Sequence, residues 1–408
     1  MAPKQGREEQ MSIRYEPFPI GIEEEYLLID PETRALAGRQ PAGFMGRCKE
    51  ILGSRVTHEF LQSQVEIGTG VCRTVGEARA ELLELRQAVA TSAEEFGMRM
   101  IAASTHPWSH WRDQEPVDME RYRILGAENR SLARRMAICG MHVHAGIEDL
   151  NLRVDLMNQV SYFMPHLLAL STSSPFWEGH DTGLKAFRPI IIGDLPRSGL
   201  PEVFESWNDW TELLDDLAAT GVVTDPTKIW WDLRPSSRHP TLEIRICDVC
   251  TWLEDGLTIA ALYQSILAFL LHLRNNNLRW RQYRRILILE NKWRAQRYGV
   301  EAELADFGKR IVVPLPELID ELIEILRPHA EALGCIAEVE HARTIARRGT
   351  SADHQLKIYH DALAAGASDH EAQVAVVDWL VDQSVQPDSP TSSETPPAEL
   401  QSGQQPPT

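Results

Sequence analysis

Two glutamates stand two positions apart in a run that is otherwise mostly apolar, Pro19 to Asp30 (PIGIEEEYLLID). If this run is a strand, Glu23 and Glu25 point to the same face, because successive side chains alternate between the two faces of a sheet. Like charges this close repel, and burying them costs several kcal/mol unless a cation offsets them. The pair therefore indicates a site for a hard divalent metal with oxygen ligands. A solvated edge strand explains this run, taken alone, equally well.

Three further runs place polar side chains on one face of a predicted strand. Glu66 lies in QVEI, His142 and His144 in GMHVHAGI, and Glu243 and Arg245 in TLEIRICD. Imidazole binds metals and exchanges protons near neutral pH. Each run also has an ordinary explanation: a half-polar strand, a satisfied core histidine, or a structural ion pair between Glu243 and Arg245. Two histidines on one face, between glycines, favour a site.

Two more arginines, Arg234 and Arg238, lie just before the last of these runs, in RPSSR. Their planar guanidinium groups suit phosphate or carboxylate. Four strands that present carboxylates, imidazoles and guanidinium groups on one face would line a cleft that holds divalent ions bridged to an anionic substrate. Nucleoside triphosphates are bound in this way, so the sequence predicts Mg-ATP as the ligand.

Signatures of other common sites are missing from the sequence. It contains no GxxxxGK[ST] loop, no GxGxxG turn, no HExxH pattern and no GxSxG elbow. Cys247 and Cys250 form a CxxC pair, but no second pair completes a zinc site. Six cysteines in 408 residues are too sparse for a disulfide framework, so free thiols are expected.

The hydrophobic pattern predicts strands in the first part of the chain and mainly helices after it. Strands are predicted at 19–30, 58–67, 100–104, 140–147 and 241–248. Helices are predicted at 76–97, 151–170, 257–273, 280–298, 301–310, 316–333, 337–348, 353–365 and 369–384. The polar runs thus fall on strands, and the C-terminal third forms a helical cover.

Composition limits the partners and the domain organisation. With 41 Lys+Arg against 59 Asp+Glu the net charge is −18, which argues against a nucleic-acid partner. No stretch reaches about 18 to 20 continuous apolar residues and the N-terminus lacks an apolar signal segment, so we expect no membrane partner and a cytoplasmic protein. Residues 1–14 and 384–408 lack a core-forming pattern and are expected to be disordered, on either side of one catalytic domain at 15–383.

Seven motifs occur in the order found in a known family. They are GIEEEYLLID from Gly21, QVE from Gln64, THP from Thr105, GMHVH from Gly140, SSPFW from Ser173, WDLRP from Trp231 and TLEIR from Thr241. From about residue 18 to 380, the chain resembles the bacterial carboxylate-amine ligases of the glutamate-cysteine ligase type 2 family. More distantly, Glu-x-Glu, His-x-His and Glu-x-Arg resemble glutamine synthetase. The resemblance implies an α+β, glutamine synthetase-like fold, in which a curved, mostly antiparallel sheet lines the active-site cleft beneath helical outer and C-terminal parts.

The resemblance also implies roles for individual residues. The ligands of Mg²⁺, or of Mn²⁺ as an alternative, would be Glu23, Glu25, Glu66, His142 and Glu243. The nucleotide would be contacted by His144, Arg234 and Arg245. Arg238 is expected to contact it as well, because its guanidinium group in RPSSR suits phosphate. Of these, Arg234 and Arg245 would act on the transferring phosphoryl group. Gly70 departs from the Pro expected in many relatives, which leaves the proposed ligands intact.

The implied reaction has two steps. A carboxylate attacks the γ-phosphate of ATP to give an acyl phosphate, and an amine then displaces phosphate to form an amide. Glutamate and cysteine are the default substrates of the family, so small-molecule amino acids are the expected partners. The chain could also form a homodimer. Two alternatives stay open: a phosphotransferase on the same fold, and a metal-dependent amide or ester hydrolase that needs no ATP.

Overall fold

The computed structural model describes residues 18–223 and 225–386, whose strands form one large sheet and three two-stranded sheets. The strands are β1 (Ile20–Ile29), β2 (Val56–His58), β3 (Gln64–Gly68), β4 (Arg99–Ile101), β5 (Met141–Gly146), β6 (Phe176–Trp177), β7 (His180–Asp181), β8 (Ser198–Gly199), β9 (Trp230–Trp231), β10 (Leu233–Pro235), β11 (Thr241–Ile244), β12 (Glu303–Asp306) and β13 (Ile311–Pro314).

The large sheet has β1 at its centre. Its strand order is β10-β11-β5-β1-β3-β2, and all its neighbouring strands are antiparallel. β4 pairs with the end of β1 that β5 does not reach, since Ile22 lies opposite Val143 whereas Leu28 lies opposite Met100. β1 is therefore paired on both sides along most of its length. The α+β class with a mostly antiparallel sheet, predicted from the sequence, is confirmed.

Helices supply the other layer and most of the C-terminal third. They are α1 (Phe44–Leu52), α2 (Val75–Glu95), α3 (Glu120–Asn129), α4 (Ser131–Arg134), α5 (Leu150–Val160), α6 (Met164–Leu170), α7 (Arg188–Gly193), α8 (Trp207–Ala219), α9 (Leu253–Asn275), α10 (Arg285–Tyr298), α11 (Leu315–Leu333), α12 (Ile336–Arg348), α13 (Ser351–Ala364) and α14 (Asp369–Ser384). The four helices predicted beyond residue 315 are confirmed within a few residues at each end.

α2 and α9 cover the face of the sheet to which Glu24 points. Arg86 of α2 forms an ion pair with Glu24, and a side chain at Gly256 of α9 would meet both Glu24 and Met141. By length and apolar composition α9 could cross a membrane, contrary to the expectation that no stretch would, but 78% of its apolar window is buried inside the protein. Its apolar character is explained by this position in the core.

A helix predicted at 301–310 is wrong, because β12 and β13 form a hairpin there. The Asp306 carboxylate accepts the backbone N–H groups of Gly308 and Lys309 at 2.8 and 2.9 Å. Arg310 has a φ of 61°, which places it in the left-handed region. These local bonds offer the backbone a turn in place of a helix.

Several other boundaries differ from the sequence prediction. The helix predicted at 151–170 is two helices, α5 and α6, and the one predicted at 280–298 starts later, as α10. The run at 58–67 contains the end of β2 and most of β3 rather than one strand, and the strand at 241–248 ends at Ile244. The segment 1–14 and residues 387–408 lie outside the described residues, and the domain limits remain predictions.

Candidate active site

The register of the large sheet brings polar residues from four strands side by side. Glu23 of β1 lies opposite His142 of β5, and Glu25 lies opposite Glu66 of β3. On the other side of β5, His144 lies opposite Glu243 of β11. Directly opposed residues of antiparallel strands point to the same face. All these side chains therefore share one face of the sheet, opposite to α2 and α9.

Glu23 and Glu243 flank the two imidazoles. Nδ1 of His142 lies 3.1 Å from a carboxylate oxygen of Glu23 and 4.0 Å from one of Glu243. Nε2 of His144 lies 3.4 and 4.0 Å from oxygens of the same two residues. Donor atoms of Glu23, His144 and Glu243 all lie within 4.8 Å of one another. Both imidazoles therefore reach the space between the two carboxylates.

The two imidazoles differ in how they are held. Nδ1 of His144 is hydrogen-bonded to the Thr241 hydroxyl at 2.8 Å, which leaves Nε2 facing the carboxylates. Nδ1 of His142 is the imidazole nitrogen that lies closest to Glu23, and it also lies 3.4 Å from Arg245. In both imidazoles Nε2 is buried and has no hydrogen-bond partner among the described residues.

Two guanidinium groups converge on Glu243. Nε of Arg234 donates to its carboxylate at 3.0 Å, and Nη1 of Arg245 pairs with its other oxygen. Nη1 of Arg234 is fixed by the carbonyl of Ile229 at 2.6 Å. Two positive charges thus lie beside the Glu23–Glu243 pair, where they could stabilise negative charge on a phosphate.

The carboxyl groups of Glu23 and Glu243 are held in their charged form. Burial alone would raise both pKa values. At Glu23, hydrogen bonds from His142 and His144 outweigh burial and lower the pKa. At Glu243, the charges of Arg245 and Arg234 have the same effect. Both carboxylates are therefore ready to bind a cation near neutral pH.

A second group consists of Glu25 and Glu66, which share this face, and of Glu59, which is close enough for its charge to repel theirs. Glu25 accepts the Gly140 backbone N–H at 2.7 Å, and Glu66 accepts the Thr57 hydroxyl at 3.2 Å. Burial, followed by repulsion from Glu25, raises the pKa of Glu59 to about 8. Burial, followed by repulsion from Glu59, Glu23 and Glu25, raises the pKa of Glu66 well above its usual range. A divalent cation would relieve this repulsion.

The residues present fit a divalent metal. Carboxylate oxygens with an imidazole nitrogen suit Mg²⁺ or Mn²⁺, and thiolate ligands, which would favour zinc, are missing from both groups. Two observations agree with this fit: Nε2 of His144, which faces Glu23 and Glu243, has no hydrogen-bond partner among the described residues, and the three carboxyl groups repel one another.

Glu59 is a site residue that sequence reasoning missed. It lies just after β2, in the connection to β3, and not within an alternating run. The prediction of one strand over 58–67 left no room for this connection. The only signal for Glu59 in the sequence is its position seven residues before Glu66, and that spacing predicts no site.

Two other residues lie apart from this site. Arg238 is exposed in the connection between β10 and β11, where its backbone N–H donates to the Ser236 hydroxyl, so the structure does not bring it to the carboxylates. Glu24 points to the opposite face, where both of its oxygens accept N–H groups of Arg86 at 2.7 Å. Of the three consecutive glutamates, the outer two belong to the site and the middle one to the core.

Comparison with known proteins assigns this chain to a family. The family described as glutamate-cysteine ligase family 2 matches residues 19–377. The chain belongs to this family. A relative from Rhodospirillum rubrum, provisionally named glutamate–cysteine ligase 2, is 52% identical over 374 residues, which cover 91% of this chain and 96% of the relative. One from Jannaschia sp. with the same provisional name is 51% identical, over 90% of this chain and 97% of its own.

Solved structures share the fold of this family member. A crystal structure of glutamate–cysteine ligase from Francisella tularensis in complex with AMP superposes with a TM-score of 0.65 at 14% identity, covering 92% of this chain and 94% of its own. A bifunctional glutathione synthetase from Pasteurella multocida gives a TM-score of 0.64 at 14% identity, covering 90% of this chain and 53% of its own. The glutamine synthetase-like fold implied by the sequence motifs is thus confirmed.

Proposed function

We propose that this family member is an ATP-dependent carboxylate-amine ligase that uses Mg²⁺, or Mn²⁺ in its place. The observation that carries the proposal is the pairing of charged Glu23 and Glu243 with two imidazoles and two arginines, beside the three carboxyl groups of Glu25, Glu59 and Glu66. Anionic ligands for metals and cationic groups for phosphate lie on the same face. A nucleoside triphosphate complexed with metal requires both.

The metal ligands in this proposal are Glu23, Glu25, Glu66, His142 and Glu243, with Glu59 added from the structure. Bound Mg²⁺ would draw charge from the phosphate oxygens of ATP. His144, held through Nδ1 by Thr241, would contact the nucleotide through Nε2, which faces Glu23 and Glu243. His142 is proposed as the metal ligand because its Nδ1 lies closer to Glu23 than does Nε2 of His144.

Arg245 and Arg234 are the proposed catalytic residues. When the substrate carboxylate attacks the γ-phosphorus of ATP, the bond to the β,γ-bridging oxygen breaks and ADP leaves. The equatorial oxygens of the transferring group carry negative charge, which the two guanidinium groups can stabilise. Their contacts with Glu243 and the Ile229 carbonyl fix their positions before ATP binds. An amine then displaces phosphate from the acyl phosphate to form the amide.

Glutamate as the acid and cysteine as the amine are the proposed substrates. The family description and the names of the relatives support this choice. We further propose that small amino acids are the main binding partners. A homodimer is also proposed, and light scattering of the purified protein tests it.

Phosphate release from Mg-ATP, measured with amino acids singly and in pairs, tests the proposed function. Mass spectrometry of each mixture identifies the product. We expect phosphate release coupled to formation of an amide such as γ-glutamylcysteine. Phosphate release that stops at a phosphorylated acceptor would instead identify a phosphotransferase. Metal-dependent cleavage of an amide or ester without ATP turnover would identify a hydrolase and overturn the ligase proposal.

A further inference from the structure

Helix α3 connects the two edges of the large sheet. The strand order of that sheet ends in β2 on one side and in β10 on the other. At the β2 edge, the Tyr122 hydroxyl of α3 donates to the His58 carbonyl at 2.7 Å. At the other edge, Glu128 of α3 forms an ion pair at 2.7 Å with Lys228, which lies in the turn before β9 and β10. α3 therefore reaches from one edge strand of the sheet to the other.

Two sets of contacts show that α3 crosses the face of the sheet that carries the candidate site. Tyr122 is buried against both neighbours of Glu59, because its hydroxyl bonds to the preceding residue and its ring packs edge-to-face on Phe60, with the centroids 5.6 Å apart. At the β10 edge, Arg234 donates to the carbonyls of the residues on either side of Lys228, at 3.1 and 2.6 Å. Since α2 and α9 cover the opposite face, α3 lies over the cleft.

Arg121 of α3 is held beside the three carboxyl groups of the site. Its guanidinium carbon lies 4.5 Å from the centre of the Tyr122 ring, and that ring contacts both neighbours of Glu59. Among the described residues, no carboxylate oxygen lies within 4.0 Å of this guanidinium group. Burial and then Glu25 raise the pKa of Glu59, and of the positive charges that oppose this rise Arg121 comes before Arg245. Arg121 is thus an exposed cation close to the acidic side of the cleft.

The two flanks of α3 differ. Residues three and four positions apart are neighbours on a helix, so Arg121, Ile124 and Glu128 share one flank. Ile124 is 45% exposed although it is apolar, and Glu128 ties this flank to the β10 edge. Arg123 lies on the other flank, where it forms ion pairs with two acidic residues of its own segment. The flank of Arg121 therefore runs from the three carboxyl groups toward the β10 edge of the cleft.

A nucleoside triphosphate in this cleft would need a cation near the three carboxyl groups. Arg234 and Arg245 provide positive charge at the Glu243 end of the site, whereas the three carboxyl groups present negative charge to a phosphate. A metal ion bound there would take some of the phosphate oxygens, and a guanidinium group beside it can donate to the others. Arg121 has this position, and its planar group suits phosphate.

We propose that α3 closes over the bound nucleotide and that Arg121 binds its β- and γ-phosphates from the β2 side of the cleft, with Arg234 and Arg245 on the β10 side. The inference rests on the proposed ligase function and deepens it, since it adds a cover and a binding residue to the same site. The ion pair of Glu128 with Lys228 is partly exposed, with side chains 47% and 21% accessible. Such a pair contributes little to stability, so α3 can be released to exchange nucleotides.

Calorimetric titration with two nucleotides tests the role of Arg121 without turnover. The probes are AMP-PNP, a non-hydrolysable analogue of ATP, with Mg²⁺, and AMP, which lacks the β- and γ-phosphates. In the Arg121→Gln variant we expect the Kd of AMP-PNP to rise about 10-fold, as for loss of a charged hydrogen bond, while the Kd of AMP changes little. Arg123→Gln is the matched control, because it removes an arginine from the other flank of the same helix. It should change neither Kd.

Hydrogen exchange of the α3 amides tests the closure. AMP-PNP should slow this exchange in the wild type, and AMP should slow it much less. In Arg121→Gln the effect of AMP-PNP should be largely lost, because the contact between α3 and the phosphates is gone. Exchange in the wild type that is the same with and without AMP-PNP would overturn the closure of α3.

The binding results also separate this inference from the proposed function. AMP-PNP that binds equally well to the wild type and Arg121→Gln, or an equal loss of affinity for AMP-PNP and AMP, would overturn the inference and leave the ligase proposal intact. Tighter Mn²⁺ binding in Arg121→Gln with unchanged nucleotide binding would overturn it too, since Arg121 would then only offset the charge of Glu59. A wild type that binds no AMP-PNP would reject the nucleotide site itself and this inference with it.

Discussion

Glu23 lies directly opposite His142 in the pairing of β1 with β5, and its two carboxylate oxygens face two different imidazoles, His142 at 3.1 Å and His144 at 3.4 Å. The next residue, Glu24, points to the other face and is paired with Arg86. Neighbouring glutamates in one strand thus serve different purposes, and each can be altered separately.

Glu23→Gln should lose metal binding, whereas Glu24→Gln should lose stability. Glu23 is 31% exposed at its side chain and faces the proposed metal, so we expect at least a 10-fold loss of Mn²⁺ affinity with little change in melting temperature. Glu24 is fully buried, and breaking a buried ion pair costs about 3 to 5 kcal/mol. Calorimetric Mn²⁺ titration and thermal unfolding of both variants check this. Equal loss of Mn²⁺ affinity in the two would contradict the assignment of Glu23.

The two histidines should separate metal binding from nucleotide binding. We expect His142→Asn to lose more Mn²⁺ affinity than His144→Asn, because Nδ1 of His142 lies closer to Glu23. His144→Asn should instead raise the KM for ATP. Mn²⁺ titration and ATP saturation kinetics on both variants decide this. The reverse ranking would make His144 the ligand, in line with its place in the three-residue donor group.

The stability of the metal-free protein should depend on pH because the carboxyl groups of Glu25, Glu59 and Glu66 repel one another. The folded pKa of Glu59 is raised to about 8, so the folded chain holds a proton that the unfolded chain releases near pH 4.5. This contribution to stability is fully present below about pH 4.5 and is lost as the pH rises through about 8. Glu59→Gln should therefore show a smaller fall in melting temperature than the wild type between these pH values.

Saturating Mg²⁺ provides the companion measurement for Glu59. We expect Mg²⁺ to raise the wild-type melting temperature most at the alkaline end of this range, because the ion relieves repulsion among charged carboxylates. If the melting temperatures of the wild type and Glu59→Gln depend on pH in the same way, the pKa of Glu59 is not raised in the folded protein.

Arg245→Lys should abolish most of the activity although it preserves the charge. Nη1 of Arg245 pairs with Glu243 and lies 3.4 Å from His142, and a lysine ammonium cannot reproduce the planar guanidinium group. We expect kcat to fall at least 100-fold, with the melting temperature within a few degrees of the wild type. Arg238→Lys, in the exposed β10–β11 connection, is the control and should keep near-normal kcat. A near-normal rate for Arg245→Lys would leave Arg245 with a structural role only.

Much of the candidate site could be predicted from the sequence because side-chain alternation in a strand is local. The spacing of Glu23 with Glu25, of His142 with His144 and of Glu243 with Arg245 assigns each pair to one face without knowledge of the rest of the fold. The order of the motifs also indicated the family, and the helices after residue 315 followed from their apolar periodicity. Strand alternation and helix periodicity both depend on residues a few positions apart, so they can be detected without knowledge of the fold.

Only the tertiary structure decided which residues from distant parts of the chain meet. Arg238 lies exposed in the β10–β11 connection, and its expected contact with the nucleotide stays a prediction. Glu59 lies outside the alternating runs, and packing alone brings it close to Glu25. The hairpin of β12 and β13 replaced a predicted helix because a turn around Asp306 outweighed a weak helical pattern. Spacing within a strand fixes the face of a side chain, whereas register and packing between distant segments fix its neighbours.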